Sequence, residues 1–311
     1  MPGGDDPALV VPPGAGTAVQ HLRALLGQGR QLVVVLAPNT PYGHPRAVRK
    51  ETGVRPGDPA GGVQSPRPEG HTVPMDPLKT ADDLVRSRFP EARAAFLAGS
   101  VLTRRRTATS DLDIVVLLDG PPAPFRKSLV HDGWPVELFV QTEAVWRAFA
   151  EQETAARQSP LLAMCAEGVL LADRDGLGAA LQAESRRRLE AGPPPMTATE
   201  CEDLRYALTD TLDDFRGCTD PLERTYLVTA LLQRASELAL LAGGHWLGGA
   251  KWLSRRLATA DPDVHRRLTE AAAAAIAGRR NGAAEFEDAV QGVLQQVGGP
   301  LWAGYRRGKA S

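Results

Sequence analysis

The chain has 311 residues and a formal net charge of −1, with 43% hydrophobic and 23% charged residues. This length suggests about two domains, and the balanced charge gives no general attraction to nucleic acid or to a membrane surface. No run of 18 or more apolar residues is present, which excludes a transmembrane helix. The three cysteines are too few and too irregularly spaced for a disulfide framework or a zinc site, so we expect a cytoplasmic protein.

Residues 1–74 differ in composition from the rest of the chain. They hold twelve of the 25 prolines and twelve of the 31 glycines, a share typical of disordered chain. We therefore predict a largely disordered N-terminal extension, in which residues 19–36 could form an accessory helix and edge strand. Because Met75 directly precedes the first regular pattern, we expect translation of the native protein to begin there.

Residues 75–191 alternate between helical and strand patterns. Thr80 and the acids that follow it predict a helix that ends before Pro90, and residues 143–158 predict another. A further helix is predicted to end at Glu190. Short apolar runs predict strands at 94–98, 111–118, 135–141 and 169–172. These elements predict a small α/β domain with a mixed sheet.

The rest of the chain has only helical patterns. Pro193, Pro194 and Pro195 interrupt the sequence after the α/β segment and predict a domain boundary. Beyond them, apolar residues recur at helical spacing in five segments: 197–216, 221–242, 249–260, 262–278 and 283–297. The predicted fold class is therefore α/β plus all-α, with a helical bundle over residues 197–311.

The most informative motif is the pair Asp111 and Asp113 inside an apolar run. Side chains alternate between the two faces of a strand, so both carboxylates must share one face while Leu112 and Ile114 point into a core. Two like charges about 4 Å apart repel by roughly 4 kcal/mol at an effective dielectric constant near 20. A divalent metal relieves this repulsion, and Mg²⁺ held by carboxylates and substrate phosphates fits best.

Three further features complete a phosphoryl-transfer constellation. Gly99 and Ser100 follow a short buried strand, where backbone N–H groups and the serine hydroxyl can hold phosphate oxygens. Glu137 lies at the centre of a later apolar run and becomes a third metal ligand if that strand lies beside the aspartates. Between these motifs, the loop arginine Arg104 is a candidate to bind a phosphate.

Together, Gly99-Ser100, the ten-residue gap to Asp111 and Asp113, and the later Glu137 resemble the signature of the DNA polymerase β-type nucleotidyltransferase superfamily. A helical domain after the catalytic module is similar to the aminoglycoside and lincosamide nucleotidyltransferases. The resemblance implies that the two aspartates bind two Mg²⁺ ions and that Gly99 and Ser100 hold the β- and γ-phosphates of ATP. It also implies that Glu137 is either a metal ligand or the general base.

The same resemblance assigns Lys251, early in the helical domain, to the triphosphate. The implied reaction is attack of a hydroxyl on the α-phosphate of ATP, which releases pyrophosphate and leaves an AMP ester. The implied acceptor is a hydroxylated small molecule, possible examples being aminoglycoside-like antibiotics, which would make the enzyme a resistance factor.

Other functions and partners stay open. An antitoxin-like or regulatory module that modifies or only binds a protein partner is the alternative. Such modules pair with toxins that carry an Arg-x4–6-His motif, but no histidine lies between Arg205 and Arg234, and Arg255 and His265 are too far apart. An RNA-extending polymerase of this fold would need a basic channel with aromatic residues. Neither nucleic acid nor a membrane is expected as a partner, and a homodimer is left open.

Overall fold

The computed structural model describes residues 76–308. The predicted N-terminal extension, its 19–36 segment and the expected start at Met75 lie outside the described residues. Within 76–308, a five-stranded mixed sheet is covered by helices and followed by a purely helical part. The predicted fold class is confirmed for this part of the chain.

The α/β part contains five strands and four helices. The strands are β1 (Ala94–Ala98), β2 (Leu112–Leu117), β3 (Phe125–His131), β4 (Trp134–Gln141) and β5 (Val169–Asp173). The helices are α1 (Pro77–Arg88), α2 (Glu143–Ala155), α3 (Pro160–Glu167) and α4 (Leu177–Ala191). Helix α2 ends earlier than the predicted 143–158 because Arg157 has a φ of 55°, which a right-handed helix does not allow.

The sheet has the strand order β3-β4-β2-β1-β5. Strands β2 and β4 are parallel, whereas the other neighbouring pairs are antiparallel. The parallel register places Asp113 directly beside Glu137, and the antiparallel register of β1 places Ala98 on the other side of Asp113. The acids therefore lie where β2 and β4 begin and where β1 ends.

Both faces of the sheet are covered. On one face, Leu112, Ile114 and Val116 pack in a cluster with Leu84 of α1, as their alternation with the aspartates predicts. On the other face, Val115 and its same-face neighbours pack against helices α2, α3 and α4. Asp113 shares this second face because it lies two residues before Val115.

Strand β3 and helix α3 were not predicted. Strand β3 is an exposed edge strand with a weak apolar pattern, but it is joined to β4 by Asp132 and Gly133, which have φ values of 47° and 79°. Two central residues with positive φ are typical of a tight hairpin turn, and an Asp-Gly pair is its strongest sequence signal. Helix α3 begins at Pro160, a residue favoured at the first position of a helix.

The helical part contains α5 (Ala198–Gly217), α6 (Pro221–Ala242), α7 (Lys251–Ala260), α8 (Pro262–Ile276) and α9 (Gly282–Gln296). Their apolar faces form one cluster, with Phe286 and Leu231 fully buried inside it. Thr197 and Glu200 form a reciprocal capping box that starts α5. No described helix combines the length and apolarity needed to cross a membrane. The boundary between separate domains at the proline linker stays a prediction.

The loop between α6 and α7 anchors the helical part on the α/β part. The Trp246 ring is buried in the cluster beneath the sheet, and its Nε1 donates to the carbonyl oxygen of Leu189 at 3.0 Å. The backbone N–H of Leu247 donates to the carbonyl oxygen of Arg157 at 2.9 Å. Because α7 begins at Lys251, four residues after this contact, the anchor restricts where that lysine lies.

Candidate metal and nucleotide site

Three carboxylates meet at the edge of the sheet where β2 and β4 begin. Asp111 directly precedes β2, Asp113 is the second residue of β2, and Glu137 lies in β4. One carboxylate oxygen of each lies within 4.8 Å of those of the other two, and all three residues are half-buried. The structure thus brings together the three acids that the sequence singles out.

The electrostatics of Asp113 reflect this crowding. Burial, followed by the negative charges of Asp111 and Glu137, raises the pKa of Asp113 to about 6. The positive charges of Arg126 and Lys251 act in the opposite direction and lower it. A partly desolvated carboxylate beside two others has an unfavourable charge, which a cation bound among them would balance.

Gly99 lies against this cluster. Its backbone has a φ of 93° and a ψ of −177°, a conformation that is essentially restricted to glycine. A Cβ atom at this position would lie 2.5 Å from Oδ2 of Asp113. Glycine is therefore needed here both for its backbone conformation and for the close approach of the turn to the acid.

Ser100 begins a short 3-10 turn, Ser100–Leu102, directly after this glycine. Its Oγ lies 2.9 Å from Oγ of the buried Ser110, which in turn accepts the backbone N–H of Thr107 at 2.9 Å. These contacts tie the turn after β1 to the loop before β2. The Ser100 hydroxyl therefore lies beside Ser110, the residue directly before Asp111.

The arginines of the loop between β1 and β2 differ in their contacts, and binding of a phosphate by Arg104 stays a prediction. Arg104 is exposed, and its side chain forms no hydrogen bond or ion pair with other described residues. Arg106 instead lies over the ring of Trp134, with its Cζ 4.8 Å from the ring centroid. Together with Ser110 and Pro135, these two residues line a pocket of about 390 Å³. The loop arginine held against the α/β part is therefore Arg106.

Lys251 lies at the start of α7 and is exposed. Its charge acts on Asp113, although the two residues are far apart in the sequence and belong to different parts of the fold. The structure therefore brings the predicted lysine into electrostatic range of the acids, on the side of the site formed by the helical part.

Sequence analysis missed one residue of the site, Arg126. Its Nη2 lies 2.6 Å from Oε2 of Glu137, and Ser128 Oγ donates to Oε1 of the same carboxylate at 3.4 Å. Both residues lie in β3, the strand that the sequence pattern did not predict. The Asp132-Gly133 turn was the signal that could have placed this strand beside β4 and its arginine beside Glu137.

The donor set fits a divalent cation. Three carboxylates can each offer an oxygen to one position, and oxygen ligands are those that Mg²⁺ prefers. The acids are half-buried and crowded, unlike solvated surface carboxylates. Within residues 76–308, no other group of three or more acidic, histidine or cysteine side chains is arranged to hold a metal ion.

Comparisons with known proteins give limited information. No protein-family model matches the chain, and no curated protein gives a significant match. A similar solved structure is that of a nucleotidyltransferase-like protein from Exiguobacterium sibiricum 255-15, with 14% sequence identity and a TM-score of 0.37. The match covers 71% of this chain and 77% of that chain. At these values the likeness carries no argument about activity, which must rest on the geometry of the site.

Proposed function

We propose that this protein is a Mg²⁺-dependent nucleotidyltransferase that moves a nucleoside monophosphate, AMP from ATP, to a hydroxyl group of a small molecule. The observation that carries the proposal is the cluster of Asp111, Asp113 and Glu137 against the Gly99 turn. Carboxylates from neighbouring strands and a glycine turn that leaves room for a phosphate chain are the parts that such a reaction needs. Aminoglycoside-like antibiotics are the first acceptors to test.

In the proposed mechanism, Asp111, Asp113 and Glu137 hold Mg²⁺, which when bound neutralises charge on the phosphate oxygens. Glu137 is assigned as a ligand rather than a general base because one of its oxygens is part of the cluster with the oxygens of Asp111 and Asp113. The backbone of Gly99 lets the triphosphate approach the acids closely. Ser100 supplies a hydroxyl donor beside the same turn.

Lys251 completes the binding of the donor nucleotide from the helical part. Its ammonium group compensates the negative charge of the triphosphate and of the nearby acids. The acceptor oxygen then forms a bond to the α-phosphorus, and the bond from that phosphorus to the bridging oxygen of the β-phosphate breaks. Pyrophosphate and the proton of the acceptor hydroxyl are released, and the acceptor keeps the nucleoside monophosphate.

The proposal is tested with the full chain, Mg²⁺, each of the four ribonucleoside triphosphates and a panel of hydroxylated compounds that includes aminoglycosides. Pyrophosphate release measures turnover, and calorimetry measures Mg²⁺-dependent nucleotide binding. We expect Asp113→Asn to lower turnover by about 10³-fold without loss of the folded state. Asp119→Asn is the matched control, because Asp119 lies just after the other end of β2 and its side chain is 71% exposed.

Two results would contradict the proposal. One is wild-type protein that neither binds a nucleoside triphosphate with Mg²⁺ nor releases pyrophosphate with any compound. The other is an Asp113→Asn variant that binds and turns over nucleotide as well as the Asp119→Asn control.

A further inference from the structure

The ion pair between Arg126 and Glu137 occupies a carboxylate that the proposed metal needs. In the β3–β4 pair, Ser128 is the register partner of Glu137 and Arg126 is the partner of Phe139. The Arg126 side chain therefore reaches diagonally across the sheet face to Glu137, where Nη2 lies 2.6 Å from Oε2. Its guanidinium lies over the Phe139 ring, with Cζ 4.7 Å from the ring centroid.

Both side chains of this ion pair are accessible to water. The Arg126 side chain is 47% exposed and that of Glu137 is 22% exposed, and an ion pair so accessible to water contributes little stability. No other carboxylate among the described residues forms a salt bridge with Arg126. A guanidinium that leaves Glu137 stays charged, keeps its stacking surface on Phe139, and remains beside the acids with its planar set of N–H donors.

We propose that Arg126 is a counter-ion that holds Glu137 while the metal position is empty and moves to a phosphate group of the nucleotide when the metal binds. This inference rests on the proposed function, because it needs both a metal and a phosphate ligand at the site. A guanidinium suits both partners, since its parallel N–H donors match carboxylate and phosphate oxygens alike. Arg126 would then be a nucleotide-binding residue that also lowers the affinity for the metal in the absence of nucleotide.

The proposal predicts effects of opposite sign for one substitution. In Arg126→Gln, no guanidinium competes with the metal for the Glu137 carboxylate. Mn²⁺ without nucleotide should therefore bind about fivefold more tightly than to wild-type protein. At saturating Mn²⁺, the same variant should bind α,β-methylene-ATP about fivefold or more weakly, because one phosphate partner is lost. A merely structural role for Arg126 would weaken both ligands together. Electron paramagnetic resonance measures free Mn²⁺, and calorimetry measures the nucleotide.

Two control variants separate a direct exchange from a general change of charge. Lys127→Gln removes the same charge from the neighbouring residue of β3, whose side chain points to the opposite face, and should leave both affinities within about twofold of wild type. In a Glu137→Gln background, Arg126→Gln should no longer tighten Mn²⁺ binding, because the carboxylate for which Arg126 and the metal compete is absent. Thermal denaturation of each variant shows that the strand pair remains folded.

The inference is overturned if Arg126→Gln leaves Mn²⁺ affinity unchanged or weakens it, or if Lys127→Gln has an equal effect. It is also overturned if nucleotide affinity does not fall. These outcomes are distinct from failure of the proposed function. Wild-type turnover with an unresponsive Arg126→Gln variant would remove the inference alone, whereas the expected Mn²⁺ and nucleotide shifts without any turnover would remove only the proposed reaction.

Discussion

Substitution of Gly99 by alanine tests whether the turn after β1 positions Asp113. The new Cβ would lie 2.5 Å from Oδ2 of Asp113, well inside the normal contact distance. The closest atom is the end of a side chain, so the carboxylate rather than the backbone is expected to move. We therefore predict a variant that folds but holds Asp113 away from its position in the cluster.

The magnitude follows from the geometry. An alanine at a φ of 93° and a ψ of −177° costs about 1–3 kcal/mol of unfolding free energy. Relief of the contact needs a carboxylate shift of roughly 0.5–1 Å, whereas metal–ligand distances tolerate only about 0.2 Å. We expect the affinity for Mn²⁺ to fall by about tenfold or more, as measured by electron paramagnetic resonance. The free energy of unfolding should fall by no more than the backbone cost of the alanine.

Gly133→Ala is the matched control. Gly133 also has a positive φ of 79°, but a Cβ there would meet no atom within 4 Å. It should therefore have a comparable cost in unfolding free energy, about 1–2 kcal/mol, and wild-type affinity for Mn²⁺. The reasoning is refuted if Gly99→Ala binds Mn²⁺ as wild-type protein does, or if both variants lose metal affinity to the same extent.

Two further predictions concern a buried acid and the lysine of the helical part. Burial raises the pKa of Glu153 from 4.5 to about 7, although it accepts the Leu161 N–H, so the folded protein binds more protons than the unfolded chain between these values. Wild-type stability should fall as the pH rises from about 5 to 8. Glu153→Gln should remove the part of this fall that is due to Glu153, up to about 3 kcal/mol at pH 8, and leave the smaller part that is due to Asp113. Urea unfolding at both pH values measures the difference, and a pH dependence equal to that of wild-type protein would refute the prediction. Lys251→Gln should weaken binding of ATP at saturating Mg²⁺ by about tenfold. Its melting temperature should not change, because the side chain is exposed. If calorimetry gives the same ATP affinity for the variant and for wild-type protein, this lysine is not part of the site.

Local patterns in the sequence were sufficient to predict most of the helices and strands. Alternation of Leu112, Asp113 and Ile114 places the acid and the core residues on opposite faces, and this depends only on the geometry of a single strand. Helix α6 is found at the predicted 221–242, because Asp220 caps it and Pro221 starts it. Such signals lie within a few residues of the element that they specify.

Strand order and register depend on packing between distant segments. The sequence alone places Glu137 in a strand, but only the parallel pairing of β2 with β4 places it beside Asp113. The weak apolar pattern of β3 hid Arg126, since an exposed edge strand is stabilised by its neighbour rather than by burial of its own side chains.

The amino-acid sequence by itself therefore determined most of the helices and strands, the face on which the aspartates lie and the acidic residues of the site. The tertiary structure decided that Gly99 lies against Asp113, that Arg126 pairs with Glu137 and that the charge of Lys251, in the helical part, acts on Asp113. The physical reason is that alternation and capping are local properties of the chain. Contacts between β1, β3, β4 and α7 arise only when the sheet and the Trp246 anchor pack together.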